Sequence, residues 1–546
     1  MKVHRLIRAA SDPSSWRRQA ERVFTSTTKH ILWWRFNAAL GRKLSLPSSS
    51  DGATVLVDGL WDNPNHFFRI RLFLEGVAPE KRRQLAAILR TPDDRSRSTL
   101  EALGFSRFFC VSDTPVTNAD HETASRALDG VRHHRDLLTI QLPGGLPTYI
   151  FFDTALKLTK NPQPPLDSPI WVDCLADIFR LYRFYTKVFG SVDVSFLVLS
   201  HPWKNEFGVA LWEGLNRKIS CFHLHSMYEV MRIRRFNSHG DFFVPLEAMT
   251  GADFVALPKA LQSTVAKAGL AYLKERATFG SNADINQVMA YRNQQSGSEL
   301  RARFNIPATR PVILVCCHAW YDFPHSFGMR NFTDFQDWIE TVLKVIVTND
   351  NVTWLLKPHP TESWYGGFYL TDLIGDLPDH IFSVPEDVSI SAALDIASAV
   401  VTVHGTVAVE ATARGIPVLC ADKSYYTDWD FVTTARTRED FISWLNRVES
   451  LPLPGSDQRA GALAFAYLSV GPGESSVGLL RFPADHVPPW RMFSNLLALT
   501  TAGGGVVSRQ GLLISSWLNS GTKNFAIFHK MRKLIHEVNL IQNEEE

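Results

Sequence analysis

Short apolar runs alternate with amphipathic segments along most of the chain. After the polar break "SLPSSSDGA", the run "TVLVDGLWDN" predicts a strand and a turn, and "HFFRIRLFLEG" follows with its large residues at helical spacing. Further apolar runs at "RFFCVSD", "PTYIFFD", "VSFLVLSH" and "ISCFHLH" predict strands, with helix-like segments between most of them. Residues 256–305 read as mainly helical and polar, with "NQQSGSELRARFNIP" as a linker. A second alternating half then begins. "PVILVCCHAW" predicts a strand, and "FTDFQDWIETVLKVIVTN" an amphipathic helix capped by Thr333. "VTWLLKPHP" and "ASAVVTVHG" predict strands, "TVAVEATAR" a helix and "IPVLCAD" a short strand. Strands alternating with helices imply parallel sheets covered on both faces.

This pattern divides the chain into a basic extension over 1–45, a Rossmann-like α/β domain over 46–255, and a helical linker over 256–305. A second Rossmann-like domain follows over 306–450, and a partly helical C-terminal extension over 451–546. With 546 residues, 45% of them hydrophobic and 21% charged, the chain has ample material for two cores. The six cysteines are scattered without metal-ligand spacing, which fits a reducing compartment better than a disulfide framework. No stretch approaches the roughly 20 apolar residues that span a bilayer, and the start lacks the apolar core of a secretory signal. A cytoplasmic location is expected.

The net charge of +2 conceals an asymmetry. Residues 1–43 carry ten Lys/Arg against Asp12 and Glu21, a local charge of +8, so the remainder of the chain is at −6. That segment includes "ILWWRF" (Ile31 to Phe36), aromatic residues among cations. It predicts either a helix lying on an anionic membrane surface or a solvated basic helix whose aromatics pack on the protein. A nucleic-acid partner is not expected, because the basic excess stops at the tail and no reading motif follows.

Two strand ends in the second half carry candidate chemistry. In "WLLKPHPTE" an apolar run ends in Lys357, His359 and Pro360, at the rim where ligands bind in open α/β sheets. In "VVTVHGTVAVEATARGIPVL" the strand meets His404, Gly405 and Thr406 just before a helix, whose first amides favour a phosphate. Glu410 lies one turn further on the same helix face, where a carboxylate would accept hydrogen bonds from paired hydroxyls such as those of a ribose. Gly415 is placed to close that helix. In the first half, "VLSHPWKNEFG" sets His201 and Glu206 just past a strand, and "LVDGLWDNPNHFFR" sets Asp58 and Asp62 at the rim of the first strand. Any of these four has the chemistry of a general base, although Asp58 and Asp62 also suit turns and His201 a helix cap.

"WLLKPHPTE" followed by "HGTVAVEATARGIPVL" resembles the bacterial capsule-polysaccharide synthesis glycosyltransferases of the GT-B fold. That group is similar to the Kdo and sialic acid transferases with a His-Pro motif. The stretch "CCHAWYDFPHSFGMRNFTDFQDW", with His318, Asp322 and Arg330, also looks like the first turn of the family's donor domain. The resemblance is good over about 256–425, weak over 53–235 and absent at both ends.

It implies two Rossmann-like domains facing a cleft, the first on the acceptor side and the second binding a nucleotide-sugar. Lys357, His359, Pro360, His404, Gly405, Thr406 and Glu410 would hold the donor nucleotide, with His318, Asp322 and Arg330 lining its phosphate side or the cleft. The base would come from the acceptor domain, from His201, Glu206, Asp58 or Asp62. No cofactor and no metal are implied, since no DxD signature stands at a strand end and the donor is a substrate. The partners implied are a nucleotide-sugar and a glycan or glycolipid acceptor. Some relatives place serines where this chain has "HGT", which leaves CMP, UDP and GDP open. Val418 stands where many retaining enzymes have a second glutamate, which points to inversion. A CDP-alditol phosphotransferase, a nucleotide-sugar epimerase and a non-catalytic scaffold of a polysaccharide-assembly complex are the competing readings.

Overall fold

The structure is a computed structural model. It describes residues 31–40, 53–78, 81, 84–225, 230–243, 250–277, 290–291, 295–470, 489–502, 504–532 and 534–535. Most of the basic extension lies outside these residues.

Two six-stranded sheets organise the chain. The first holds β1 (Thr54–Asp58), β2 (Gln84–Leu89), β3 (Arg107–Cys110), β4 (Val194–Leu199), β5 (Ser220–His225) and β6 (Arg232–Phe236), in the order β3-β2-β1-β4-β5-β6. All pairs are parallel except β5 with β6. The second holds β7 (Val312–Cys316), β8 (Thr353–Lys357), β9 (Ile381–Ser383), β10 (Ala399–Thr402), β11 (Val418–Cys420) and β12 (Thr433–Thr434). Its order is β12-β11-β10-β7-β8-β9, parallel throughout. In each sheet the order reverses beside the first strand, between β1 and β4 and between β7 and β10. Those reversals open the crevices in which doubly wound folds hold ligands. This is the pair of Rossmann-like domains, the GT-B fold class, that the sequence implied.

The strand predicted at "PTYIFFD" is instead the start of a helix, Tyr149–Thr159. Its residues from Tyr149 to Leu156 are all buried, so no polar face marked the helical period. The cap of the helix Phe335–Ile346 is Asp334, whose side chain accepts from the Asp337 amide, and not Thr333. Gly415, at φ 83°, does end the helix Val407–Ala413 in the left-handed region that favours glycine.

The linker helix Lys259–Ala277 packs on the helix Ser456–Phe465 of the extension. The contact is as close as backbones come: a Cβ at Gly269 would lie 1.9 Å from the Leu463 carbonyl oxygen. Gly269→Ala is expected to force the two helices apart and cost on the order of 3 kcal/mol. Thermal unfolding followed by circular dichroism checks this; an unshifted midpoint would mean the helices separate freely.

The C-terminal extension then returns to the first domain. Its helix Gly504–Ser520 packs on Pro64–Gly76, joining Ile514 and Trp517 to the core that contains Phe67, Phe68 and Phe73, and Phe525 follows them into it. Residues 31–40 are helical and add Trp33, Phe36 and Leu40 to the same core. Trp34, 71% exposed, and Ile31, 54% exposed, point away from it. Among the described residues no helix is long and apolar enough to cross a membrane.

Candidate functional site

The loop between β7 and the helix Phe335–Ile346 is the bridge between the two domains. Asp153, buried on the helix Tyr149–Thr159, accepts from His325 Nδ1 (2.8 Å), the Ser326 amide (3.0 Å) and the Ser326 hydroxyl (3.0 Å). Gln163 donates to both oxygens of Asp334, at 3.2 and 3.1 Å. Lys157, one turn after Asp153, extends its ammonium to 2.7 Å from Asp322 Oδ1. The same ammonium lies 4.7–5.4 Å from the ring centres of Tyr365, Tyr321 and Phe323. A cation from one domain is thus seated in an aromatic and anionic box of the other.

Asp322 is the electrostatic hub of this cleft. Burial alone would raise its carboxyl, but the Lys157 ammonium and its hydrogen bond, with His359 and His201, hold it below the usual range. His201 comes from the end of β4 in the first domain and His359 from the end of β8 in the second. Burial lowers each imidazole to about 4, while the Asp322 charge opposes that shift in both. His404, from the end of β10, also feels Asp322 and is lowered to about 3 by burial. A file of rings connects these groups: His201 to Phe323 (5.5 Å), Trp203 to Phe327 (4.8 Å), Phe327 to His404 (5.7 Å) and His404 to His318 (4.7 Å).

The hydrogen bonds set what each imidazole offers. His359 Nδ1 is 3.3 Å from the Thr361 amide, which can only donate, so the ring proton sits on Nε2. Pro360 forms the turn between them. His359 therefore presents an N–H with no other partner among the described residues. His201 Nδ1 lies 3.1 Å from both the carbonyl oxygen and the amide nitrogen of Trp203. The amide and the carbonyl make opposite demands on Nδ1, so both tautomers are accommodated; the one that donates to the carbonyl leaves a lone pair on Nε2, which is the form a base requires. His318 Nε2 lies 3.1 Å from the Thr402 hydroxyl and accepts from the Val403 and His404 amides at 3.3 and 3.4 Å, so it braces the β10 turn. His404 is 5% exposed, and its Nδ1 is buried without a partner among the described residues.

At that turn Gly405 brings the backbone close to His318, where a Cβ would sit 3.7 Å from Cε1. Thr406 is the helix N-cap and makes no side-chain cap bond. Its hydroxyl and the amides of Thr406 and Val407 have no partner among the described residues. Glu410 is already engaged by the linker. Arg276 lies 3.1 Å from its Oε1 and the Tyr291 hydroxyl donates to its Oε2, so linker groups already hold both carboxylate oxygens. Lys357, 3% exposed, donates to the Val388 carbonyl at 2.6 Å. Arg330 donates to the carbonyls of His325 and Met329 and stacks 5.2 Å over Tyr149 of the first domain.

The other candidate bases are elsewhere. Asp58 is fully buried, and burial raises its carboxyl to about 7. It accepts from the Ser200 hydroxyl at 2.9 Å and from the Ser200 amide, which ties the β1 and β4 ends together. Glu206 pairs with Arg90 at 2.9 Å, and Asp62 with Arg95 at 3.6 Å, on the β1–β2 side of the rim. Of the four, His201 is the one packed on the interdomain loop, against Phe323 and within the field of Asp322.

Sequence reasoning missed Lys157, because its helix was read as a strand, and Arg276 and Tyr291, because nothing local ties them to Glu410. It also missed two strained turns that bracket the cleft. Lys204 (φ 65°, ψ 161°) and Phe323 (φ 55°) occupy left-sided backbone regions that side chains disfavour. Among the described residues no group of three or more His, Cys, Asp or Glu is arranged to hold a metal ion.

No protein-family model matches the chain, and no curated protein matches it. Solved structures do. Thermosulfurimonas dismutans KpsC, a beta Kdo 2,4 transferase, aligns at 12% identity and TM-score 0.36 over 52% of this chain and 86% of that one. Anabaena Alr3699/HepE, in complex with UDP and glucose, aligns at 10% identity and TM-score 0.26 over 86% and 100%. The UDP-GlcNAc 2-epimerase from Neisseria meningitidis, bound to UDP-GlcNAc, aligns at 11% identity and TM-score 0.25 over 76% and 97%.

Proposed function

We propose that the protein is a glycosyltransferase that moves a sugar from a nucleotide-activated donor to a bacterial surface polysaccharide acceptor, capsular or lipopolysaccharide-type. The observation that carries this reading is the joining of the two Rossmann-like domains at Asp322, which accepts from Lys157 at 2.7 Å while His201 packs 5.5 Å from the adjoining Phe323. An inverting transfer needs a base at the acceptor hydroxyl and donors at the departing phosphate. His201 Nε2 takes the acceptor proton, and the neighbouring Asp322 carboxylate stabilises the imidazolium that forms. The His359 Nε2–H, the Thr406 hydroxyl and the first helix amides receive charge on the nucleotide phosphate, so the scheme requires no metal ion. Glu410, held by Arg276 and Tyr291, has lone pairs left to accept from the donor ribose. The boundaries near 255, 305 and 450 divide acceptor domain, linker, donor domain and extension. The protein works in the cytoplasm, on acceptors at the inner membrane face.

Thermal unfolding with CMP, UDP and GDP in turn is the direct test. One nucleotide, at 100 times its Kd, should stabilise the protein by about 2.7 kcal/mol, and His359→Ala should abolish most of that shift. No shift with any nucleotide would overturn the reading and favour the scaffold. Mass spectrometry of a donor panel without acceptor checks the class: conversion of the donor to its epimer would identify an epimerase instead.

A further inference from the structure

Two side chains of the linker meet the carboxylate of the helix Val407–Ala413. Tyr291, 2% exposed, donates its hydroxyl to Glu410 Oε2. Burial and the Glu410 charge hold that phenol well above its usual range, so it keeps the proton it donates. Arg276 sets its Nε 3.1 Å from Oε1 as an ion pair, with the two side chains 11 and 9% exposed. Arg276 is itself oriented. Its Nη1 donates to the Tyr272 hydroxyl at 3.1 Å, one turn earlier on the same helix, and its guanidinium lies 6.0 Å over the Tyr291 ring.

The extension helix Ser456–Phe465 is the platform behind this contact. The linker helix Lys259–Ala277 packs on it, and it packs in turn on Val407–Ala413. The same platform steadies the turn before the donor helix: Tyr426 donates to the Gly405 carbonyl at 3.0 Å and lies edge-on to Phe465 at 5.9 Å.

A carboxylate offers about four acceptor positions, two on each oxygen. Tyr291 and Arg276 take one on each, so one on each is left. The last torsion of a glutamate is broad, and an unheld carboxylate would turn about it. Two donors, one per oxygen, fix its plane. The positions that remain then suit a vicinal diol, which donates once to each oxygen.

We infer that Arg276 and Tyr291 are positioning residues for the donor: they fix the Glu410 carboxylate so that it selects a ribonucleotide over its 2′-deoxy counterpart. This rests on the glycosyltransferase reading, in which Glu410 accepts from the donor ribose. The linker is then part of the donor site as well as a tether between the domains. A merely structural staple would leave ribose selection unchanged.

The test is calorimetric titration of the full chain with whichever of CMP, UDP and GDP stabilises it, and with the 2′-deoxy form of the same nucleotide. Selection is read as the ratio of the two Kd values. In wild-type protein that ratio should be about tenfold or more, the worth of a hydrogen bond to a charged group. Tyr291→Phe and, separately, Arg276→Lys should each bring it to about threefold or less, by weakening the ribonucleotide. A loss of stability common to both titrations cancels in the ratio, and Arg276→Lys keeps the charge should Tyr291→Phe fold poorly. Glu410→Ala should remove the selection altogether. Wild-type protein that binds both forms equally overturns the inference, and so does either variant that keeps the wild-type ratio. A chain that binds no nucleotide sinks the donor reading and this inference with it; binding without ribose selection sinks the inference alone.

Discussion

Replacing His201 by alanine should lower kcat by about 10²- to 10⁴-fold while leaving the nucleotide-induced thermal shift intact, because the lost group acts on the acceptor proton and not on the donor. His201→Gln should be no better, since an amide cannot take the proton. The same substitution logic separates the other bases. Glu206→Gln breaks an ion pair with Arg90 that lies on the rim, and its effect on kcat should stay small. Asp58→Asn disturbs the clamp on Ser200 and should act on stability first. Steady-state kinetics of donor consumption in the presence of acceptor decides the matter. A His201→Ala enzyme with wild-type kcat would remove the base from this cleft.

Acidification from pH 7 to pH 5 should destabilise the protein by several kcal/mol in sum. Seven imidazoles, four buried and three half-buried, have values lowered by desolvation: His66, His225 and His404 to about 3, His201 and His359 to about 4, and His223 and His318 well below normal. Below about 6.5 the unfolded chain binds protons that these folded imidazoles refuse, so each contributes stability that is lost as the pH falls towards its folded value. One pH unit corresponds to roughly 1 kcal/mol for each such group. Asp58 and Asp334, raised by burial to about 7, act in the opposite sense, because the folded state keeps protons that the unfolded chain releases above about 4. The imidazoles outnumber them, so the net slope follows histidine. Denaturant unfolding at pH 7, 6 and 5 measures it; a midpoint that rises on acidification would show that the carboxyls dominate.

The strands that ran Val, Ile, Leu and Phe into a Gly, His or Pro were legible because burial on both faces needs a continuous apolar run and the rim needs a break. β2, "QLAAIL", escaped because alanine carries no strand signal. β6, "RIRRF", escaped because three arginines read as surface, whereas the fold buries Arg232 and Arg234. The site was legible to the same extent. His201 and His359 follow strands directly, so their place at the cleft could be read from the chain. Lys157 could not, since its position depends on a helix whose even burial hid its period. Asp58 had the right place at a strand end, but the β1–β4 crossing closes over it, a long-range effect that no local pattern carries. The engagement of Glu410 by Arg276 and Tyr291 is of the same kind.

The packing of Gly504–Ser520 on Pro64–Gly76 bears on how the chain is made. A Cβ at Gly76 would fall 2.5 Å from Ile514 Cγ2, so the two helices are in intimate contact. The first domain emerges from the ribosome early, yet its phenylalanine-rich outer wall has no cover until translation is almost finished. During that interval the nascent polypeptide displays an apolar surface that chaperones must shield, and an excised first domain would be expected to aggregate on expression.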